Sequence, residues 1–174
     1  MEEQFSPAAA QKDVINLPSA TNDKTIARLR NTLPRKEILR GFNVFNEVYA
    51  KGTPFYASSV SCRVVARKEI SNQHVQSDVP VLVGFSVSRK VRIAVERNRV
   101  KRLLRETFRA QKHTLIERCS QVHIQLILLF NFNNKTEIPV KKFPFSIVQN
   151  EMSELLEKVM HRLENFASVT HTQP

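Results

Sequence analysis

VLVGFSVSRKVRIAVERNRVKRLLRETFR, from Val81 to Arg109, changes its periodicity part-way along. In its first part Val81, Val83, Phe85 and Val87 face one way and Leu82, Gly84, Ser86 and Ser88 the other, which is the period-two pattern of a strand. From Ala94 onward Val100, Leu103, Leu104, Thr107 and Gln111 gather on one side of a helix of 3.6 residues per turn, with Phe108 just beyond them. A strand that runs into a long one-sided helix must dock that helix on a sheet. The next extended segment, VHIQLILLF from Val122 to Phe130, is almost continuously branched or aromatic, so it suits a strand buried on both faces at the centre of the sheet.

Upstream, GFNVFNEVYAKG places Phe42, Phe45, Val48 and Tyr49 at helical spacing, with Gly52 as C-cap and Pro54 after it. FYASSVSCRVVA, from Phe55 to Ala66, reads as one strand with one wet side: Tyr56, Val60, Cys62 and Val64 on the dry face, Ala57, Ser59, Ser61 and Arg63 on the other. The polar run RKEISNQHVQSD connects it to Val81. Downstream, a loop holding Asn131, Asn133, Asn134 and Pro139 precedes a closing amphipathic helix, in which Val148, Met152, Leu155, Leu156, Val159, Leu163 and Phe166 recur every three or four positions. Residues 1–32 show no sustained periodicity and are expected to be a disordered arm. The domain is expected over 33–167, with a flexible tail at 168–174.

The 174 residues carry 27 Lys and Arg against 16 Asp and Glu, a net charge of +11. Ten of those cations and only two acids lie between Arg89 and Lys112, so the basicity is local. At about 100° per residue, Asn98, Lys101, Arg102, Arg105, Arg109 and Lys112 share one exposed sector of about 100°, while Arg97 and Arg99 point about 160° apart. Like charges at i,i+4 repel by a few tenths of a kcal/mol per pair, roughly, and Glu96 and Glu106 are the acids near enough to relieve them. A solvated salt-bridged face would interleave acids. A membrane-binding helix would need the apolar stripe that closes the core. A polyanion such as nucleic acid fits the face better than either.

The second candidate surface is the aromatic side of the first helix. Phe45 and Tyr49 are four apart, beside the wet strand face of Ser59, Ser61 and Arg63, and aromatics next to small polar residues and an arginine make a stacking platform for single-stranded bases. Ordinary core packing is the other reading of the same two rings. No nucleophile with a base, paired carboxylates, Gly-rich phosphate loop or metal triad is recognisable, and His74, His113, His123, His161 and His171 are scattered. No catalytic residue and no metal site is therefore expected in this chain. Cys62 and Cys119 are far apart and read as reduced core thiols of a cytosolic protein. Met1-Glu2-Glu3 does not begin a signal peptide, and the oiliest run, IQLILLF from Ile124 to Phe130, is far short of the ~18 to 20 residues that span a bilayer.

GFSVSRKVRIAVERNRVKRLLRETFR, from Gly84 to Arg109, resembles the bacterial ribonuclease P protein subunit, whose hallmark is an RNR tripeptide in a basic helix after a G-[FL]-[ST]-V-[SA]-[RK]-K strand. Phe45, Val48, Tyr49 and Gly52 match its F-x-x-V-[FY]-x-x-G pattern, and the resemblance extends more weakly from about Leu33 to Phe166. It implies an α/β fold (an α+β two-layer sandwich) with a mixed sheet of about four strands packed by helices, similar to domain 2 of ribosomal protein S5 and with its rare left-handed βαβ crossover. It also implies a cytoplasmic ribonucleoprotein in which an RNA subunit uses Mg²⁺ to hydrolyse the 5′ leader from precursor tRNA, while the protein binds that RNA and the leader.

Carried onto this chain, Arg97, Asn98 and Arg99 are the RNR. With Arg89, Lys90, Lys101, Arg102, Arg105 and Arg109 they form the expected RNA-subunit contact. Phe45, Tyr49, Ser59, Ser61 and Arg63 form the expected leader contact. Ribonuclease P RNA and precursor tRNA are thus the implied partners, with no membrane and no protein partner evident. Two departures stand out: Arg92-Ile93 replaces the Gly-Asn often found before the RNR helix, and Asn131 stands where many members carry Lys or Arg. A non-enzymatic RNA-binding or ribosome-associated module is the competing class, and a stand-alone nuclease the third.

Overall fold

A computed structural model describes residues 32–67, 79–133 and 138–170, the last five without their side chains. The expected arm up to residue 31, the polar connection 68–78, Asn134, the Phe166 side chain and residues 171–174 lie outside the described residues. In chain order come a 3₁₀ turn at Arg35–Glu37, α1 (Phe42–Lys51), β1 (Thr53–Tyr56), β2 (Val60–Ala66), β3 (Val81–Val87), α2 (Ala94–Gln121), β4 (Leu126–Phe132), a second 3₁₀ turn at Val140–Lys142, and α3 (Phe145–Thr170). The closing helix thus runs three residues past the expected domain end at 167.

Four strands form one mixed sheet in the order β1-β2-β4-β3. β4 is central as its composition requires. It pairs antiparallel with β2 and parallel with β3, and α2 makes the connection between the parallel pair. The outer edge of β3 is covered by the chain entering α1: Leu39 N donates to Val83 O at 2.8 Å, beside a parallel bridge between Ile38 and Val83. The bridge interrupts at Val83 the row of backbone groups that this edge offers to another chain.

The segment expected as a single strand from Phe55 to Ala66 is a hairpin. The small residues Ala57, Ser58 and Ser59 turn the chain, with Ala57 N bonded to Val60 O at 2.9 Å. Phe55 pairs with Cys62 and Tyr56 with Ser61, so Tyr56 lies on the face of Ser61 and not, as simple alternation predicts, on that of Val60. Ser59 is likewise moved off the wet face. It is buried, and its amide and that of Val60 donate to the Glu151 carboxylate of α3, Ser59 N at 3.1 and 2.9 Å to the two oxygens and Val60 N at 2.8 Å to one of them.

One face of the sheet, through Val60, Cys62, Val64, Val81, Val83, Leu126, Leu128, Phe130 and Phe132, packs on α2 and α3 in the main core. Phe85, Phe108 and Phe130 meet there with ring centroids 5.6 to 6.1 Å apart. The other face carries a smaller core: Val44 and Val48 of α1 with Leu39, Val65, Leu82, Ile127 and Leu129. The expected two layers are therefore supplemented by a partial third, because α1 covers one half of the second face. Gly52 ends α1, its amide donating to Val48 O at 2.9 Å. A Cβ there would lie 2.5 Å from that same oxygen, so the close approach requires glycine.

Both cysteines are free and buried, and burial pushes both thiols up, Cys119 to about 12. Neither is poised as a nucleophile. No helix among the described residues is long and apolar enough to cross a membrane.

The Glu151 clamp makes the hairpin sensitive to substitution. Removing the carboxylate leaves two buried amides without an acceptor, at about 1 to 3 kcal/mol each. Glu151→Ala is expected to lower unfolding free energy by several kcal/mol and Glu151→Gln, which keeps one acceptor, by less. Equal denaturation midpoints for Glu151→Ala and the parent chain would refute the clamp.

Candidate nucleic-acid interface

α2 begins at Ala94, so all of Arg97, Asn98 and Arg99 are helical and the two arginines do point apart. Arg97 turns back over the connection from β3, Nη1 donating to Val91 O at 3.0 Å and to Arg92 O at 2.5 Å. Arg99 reaches the other way, Nη1 to Lys141 O and Nη2 to Phe143 O, the latter at 3.2 Å. Both guanidiniums thus close main-chain carbonyls of neighbouring loops. Asn98, between them, is exposed, and its side chain has no hydrogen-bond partner among the described residues.

Lys101, Arg102 and Arg105 continue from Asn98 along the helix. None of the three has an ion-pair partner among the described residues, and Arg102 and Arg105 are exposed. The face then closes earlier than the helical wheel suggests. Arg109 is held by Glu106, with Nε and Nη2 donating at 2.9 and 2.6 Å to one carboxylate oxygen. Lys112 is buried, at 4% exposure, and its Nζ lies 2.5 Å from Glu37 Oε2. Over a helix of this length the buried sector drifts, so that Leu115 and Cys119 enter the core close to the direction that Lys112 takes. The chain before α1 meets the helix there and supplies Glu37. Lys112 is therefore a structural cation and not part of the basic face.

The second surface is built by strand register. Tyr56 pairs with Ser61, Ser61 with Asn131, and Asn131 with Ser86, so one continuous polar row crosses all four strands. Two residues along the strands the row is Pro54, Arg63, Leu129 and Gly84, and two further it is Val65, Ile127 and Leu82 beneath α1. The sheet face thus grades from greasy under the helix to polar beyond it. Side chains knit the polar row: Ser86 Oγ donates to Asn131 Oδ1 at 3.1 Å, lies 3.3 Å from Tyr49 Oη, and Ser61 Oγ donates to Asn131 O at 3.4 Å. Arg63 sits 5.5 Å from the centre of the Tyr49 ring while donating to Gly52 O at 3.2 Å. Its charge is thereby tethered over an aromatic face.

Above the row opens a cleft of about 690 Å³ between the N-terminal half of α1 and the exit of β3. Phe45 and Tyr49 form one wall, Ser86 and Asn131 the floor, and Arg89 and Lys90 the opposite rim. Phe42, 78% exposed, stands at its mouth. Phe45 also closes the small core, its ring packed directly over Gly84, so it serves both the packing and the cleft. Tyr49 is 38% exposed and is the freer of the two rings.

A family model described as Ribonuclease P matches residues 33–160. A ribonuclease P protein component of Chlorobium phaeobacteroides is 30% identical over 138 residues, covering 74% of this chain and 88% of that protein. The chain belongs to the ribonuclease P protein component family. A second relative of that description, from Chlorobaculum tepidum, is 35% identical over 86 residues, which is 49% of this chain and 54% of that protein. The fold is shared with the ribonuclease P proteins of Staphylococcus aureus (TM-score 0.52, 23% identity, 71% of this chain and 94% of that one) and Thermotoga maritima (TM-score 0.52, 21% identity, 70% and 96%). It is thus a protein subunit of ribonuclease P, an RNA-binding component of a tRNA-processing ribonucleoprotein enzyme.

Among the residues expected at this ribonuclease P protein's RNA-subunit contact, Asn98, Arg102 and Arg105 lie together and exposed, with Lys101 half-buried beside them. Arg97, Arg99 and Arg109 are adjacent but already engaged, and Arg89 and Lys90 lie instead on the cleft rim. Of the expected leader residues Phe45 and Tyr49 line the cleft, Ser61 and Arg63 flank it, and Ser59 is withdrawn into the hairpin. Phe42, Ser86 and Asn133 also line the cleft, as does Asn131, and Tyr56 ends the polar row, none of them among the residues expected there. The signal for Ser86 was present in its strand alternation, but Asn131 was placed in a loop because the apolar run stops at Phe130.

The cleft wall depends on the missing side chain at Gly84. A Cβ there would lie 3.0 Å from both Phe45 Cζ and Leu129 Cδ1 and 3.3 Å from Leu39 Cδ2, so three side chains must give at once. Gly84→Ala is expected to destabilise the chain by about 1 to 3 kcal/mol and to shift the Phe45 ring resonances. An unchanged melting temperature together with unshifted Phe45 resonances would refute that packing.

Proposed function

We propose that this subunit binds the ribonuclease P RNA through the α2 face around Asn98, and holds the 5′ leader of precursor tRNA in the cleft beside α1. It thereby assists removal of the leader to give the mature tRNA 5′ end. The observation that carries the reading is the placement of Arg89 and Lys90. They line the cleft and stand on the short connection 88–93 that leads from β3 into the basic helix, so the two surfaces adjoin through six residues. A substrate strand in the cleft and an RNA on the helix would then be bound side by side.

The chemistry suits each part. Unpaired lysines and arginines neutralise phosphates without reading sequence. Tyr49, with Arg63 over one side of its ring, offers the other side to a base that can stack on it. The polar row offers hydroxyl and amide groups to a strand lying across it. Hydrolysis itself is assigned to the RNA partner together with Mg²⁺. Among the described residues no three His, Cys, Asp or Glu side chains come together. The reading also carries the cytoplasmic setting of tRNA processing and the arrangement of ribosomal protein S5 domain 2, for which the parallel β3–β4 pair joined through α2 supplies the βαβ unit of the expected left-handed crossover.

On the RNA side, affinity is expected to fall with salt by about 0.7 to 0.9 log units per log unit of salt for each phosphate neutralised. Replacing Lys101, Arg102 and Arg105 together by Ala should weaken binding of ribonuclease P RNA and flatten that dependence. A folded triple variant with the parent's affinity and slope rules out this face.

On the leader side, a stacked base contributes on the order of 1 to 3 kcal/mol, so Tyr49→Ala in the holoenzyme is expected to weaken leader-bearing precursor tRNA by about tenfold. Mature tRNA, which lacks the leader, should bind the variant as it binds the parent. The quantity to measure is the ratio of the two affinities, with folding checked separately. A ratio that does not move would remove Tyr49 from the leader site, and enrichment of ribosomal RNA in place of ribonuclease P RNA on copurification would favour the ribosome-associated alternative.

A further inference from the structure

Lys141 and Lys142 lie in the second 3₁₀ turn, far in sequence from the basic helix, and composition alone assigns them to a loop. Their segment, Ile138 to Ser146, contains no acid. Both are exposed, and neither side chain has an ion-pair or hydrogen-bond partner among the described residues. What sets them apart from ordinary surface lysines is how firmly their backbone is held. Lys142 N donates to Pro139 O at 2.8 Å and Phe143 N to Val140 O at 3.2 Å, which closes the turn on itself. Val140 is buried, and Phe143 is fully buried with its ring edge-on to Phe132 at 5.1 Å.

The remaining restraint comes from α2. Arg99 spreads its guanidinium over two carbonyls of this segment, Nη1 at 2.5 Å from Lys141 O and Nη2 at 3.2 Å from Phe143 O. A planar fork can bridge two acceptors in this way where a lysine ammonium is a compact point charge. The turn is thereby bound to the helix at the residue next to Asn98 and one turn before Arg102. Two further cations are held beside a face with Glu96 and Glu106 as its only nearby helix acids, the latter already paired with Arg109, an arrangement that costs repulsion unless a polyanion offsets it.

We propose that Lys141 and Lys142 form a second phosphate contact to the ribonuclease P RNA, and that Arg99 is the positioning residue that holds them beside the α2 face. The proposal rests on the reading of that face as the RNA site. Its partner chemistry is the sugar-phosphate backbone of a folded RNA, because two lysines on a turn carry charge without the means to read base edges.

The test uses the full chain and a ribonuclease P RNA transcript, with affinity followed across a salt series and each variant shown to be folded by its melting transition. The Lys141→Ala, Lys142→Ala double variant is expected to flatten the log-log salt slope by about 0.7 to 0.9 for each lysine. Arg99→Ala should weaken binding in the parent and have a smaller effect in the double-lysine background, since the groups it positions are then gone. Arg99→Lys, which keeps the charge but not the fork, should fail to restore the parent's affinity, and it also serves should Arg99→Ala not fold.

Parent-like affinity and slope in the double variant, alongside a loss in the Lys101, Arg102 and Arg105 triple variant, overturn the lysine contact and leave the helix face standing. Retention in both overturns both. A loss in the double variant alone keeps the lysine contact and overturns the helix face. Equal Arg99→Ala penalties in the two backgrounds, or full rescue by Arg99→Lys, overturn the positioning role.

Discussion

Pairing of β4 on both sides fixes nearly everything else in the molecule. Hydrogen-bonded to β2 in one sense and to β3 in the other, it tolerates no slip against either neighbour, because its own shift by one residue would carry Leu128 and Phe130 out of the main core and bring Asn131 into it. The same lock that keeps the apolar residues inside aligns Ser61, Asn131 and Ser86 in one row on the opposite face. The polar floor of the cleft is therefore a product of the core's register and not a separately assembled loop site. This makes it rigid, and a rigid floor loses little freedom when a flexible strand is laid across it.

α1 exploits that register by covering only part of the second face. Val44 and Val48 seal the greasy rows, Phe45 rests on Gly84 where the face changes character, and Tyr49 reaches the polar row through Ser86. The helix thus serves at once as the lid of the small core and the wall of the cleft. Arg63, tied to Gly52 O and facing Tyr49, links the end of α1 to the sheet. A substitution in this group acts on stability and on the cleft together, which is why a ratio of affinities separates the two roles where a single affinity cannot.

Much of this could be read from the residues alone, and the failures share a cause. The periods of β3 and α2, the central place of β4, the capping of α1 at Gly52 and the closing helix all follow from local pattern. Ser59 and Tyr56 were misplaced because the turn at Ala57 to Ser59 inverts the alternation, and small residues mark that turn only weakly. Lys112 was assigned to the basic face because its true partner, Glu37, is 75 positions away. Glu151, the acceptor for two hairpin amides, looked like any acid on an amphipathic helix. Each miss is a long-range partner that no periodicity contains.

The RNR tripeptide shows the same limit at the centre of the interface. Charge pattern alone presents Arg97 and Arg99 as two more phosphate ligands, and side-chain geometry commits both to carbonyls of the flanking loops. An arginine so engaged keeps its positive charge while two of its five N–H donors are committed to main-chain carbonyls, so it also places its neighbours. Asn98, held between two fixed arginines, is then the one member of the three whose donors and acceptor remain open to a ligand among the described residues. The tripeptide sets the shape of the basic surface by anchoring the entry to α2 on one side and the Val140–Lys142 turn on the other. The cations without an ion-pair partner among the described residues stand around it: Lys101, Arg102 and Arg105 along the helix, and Lys141 and Lys142 beside it.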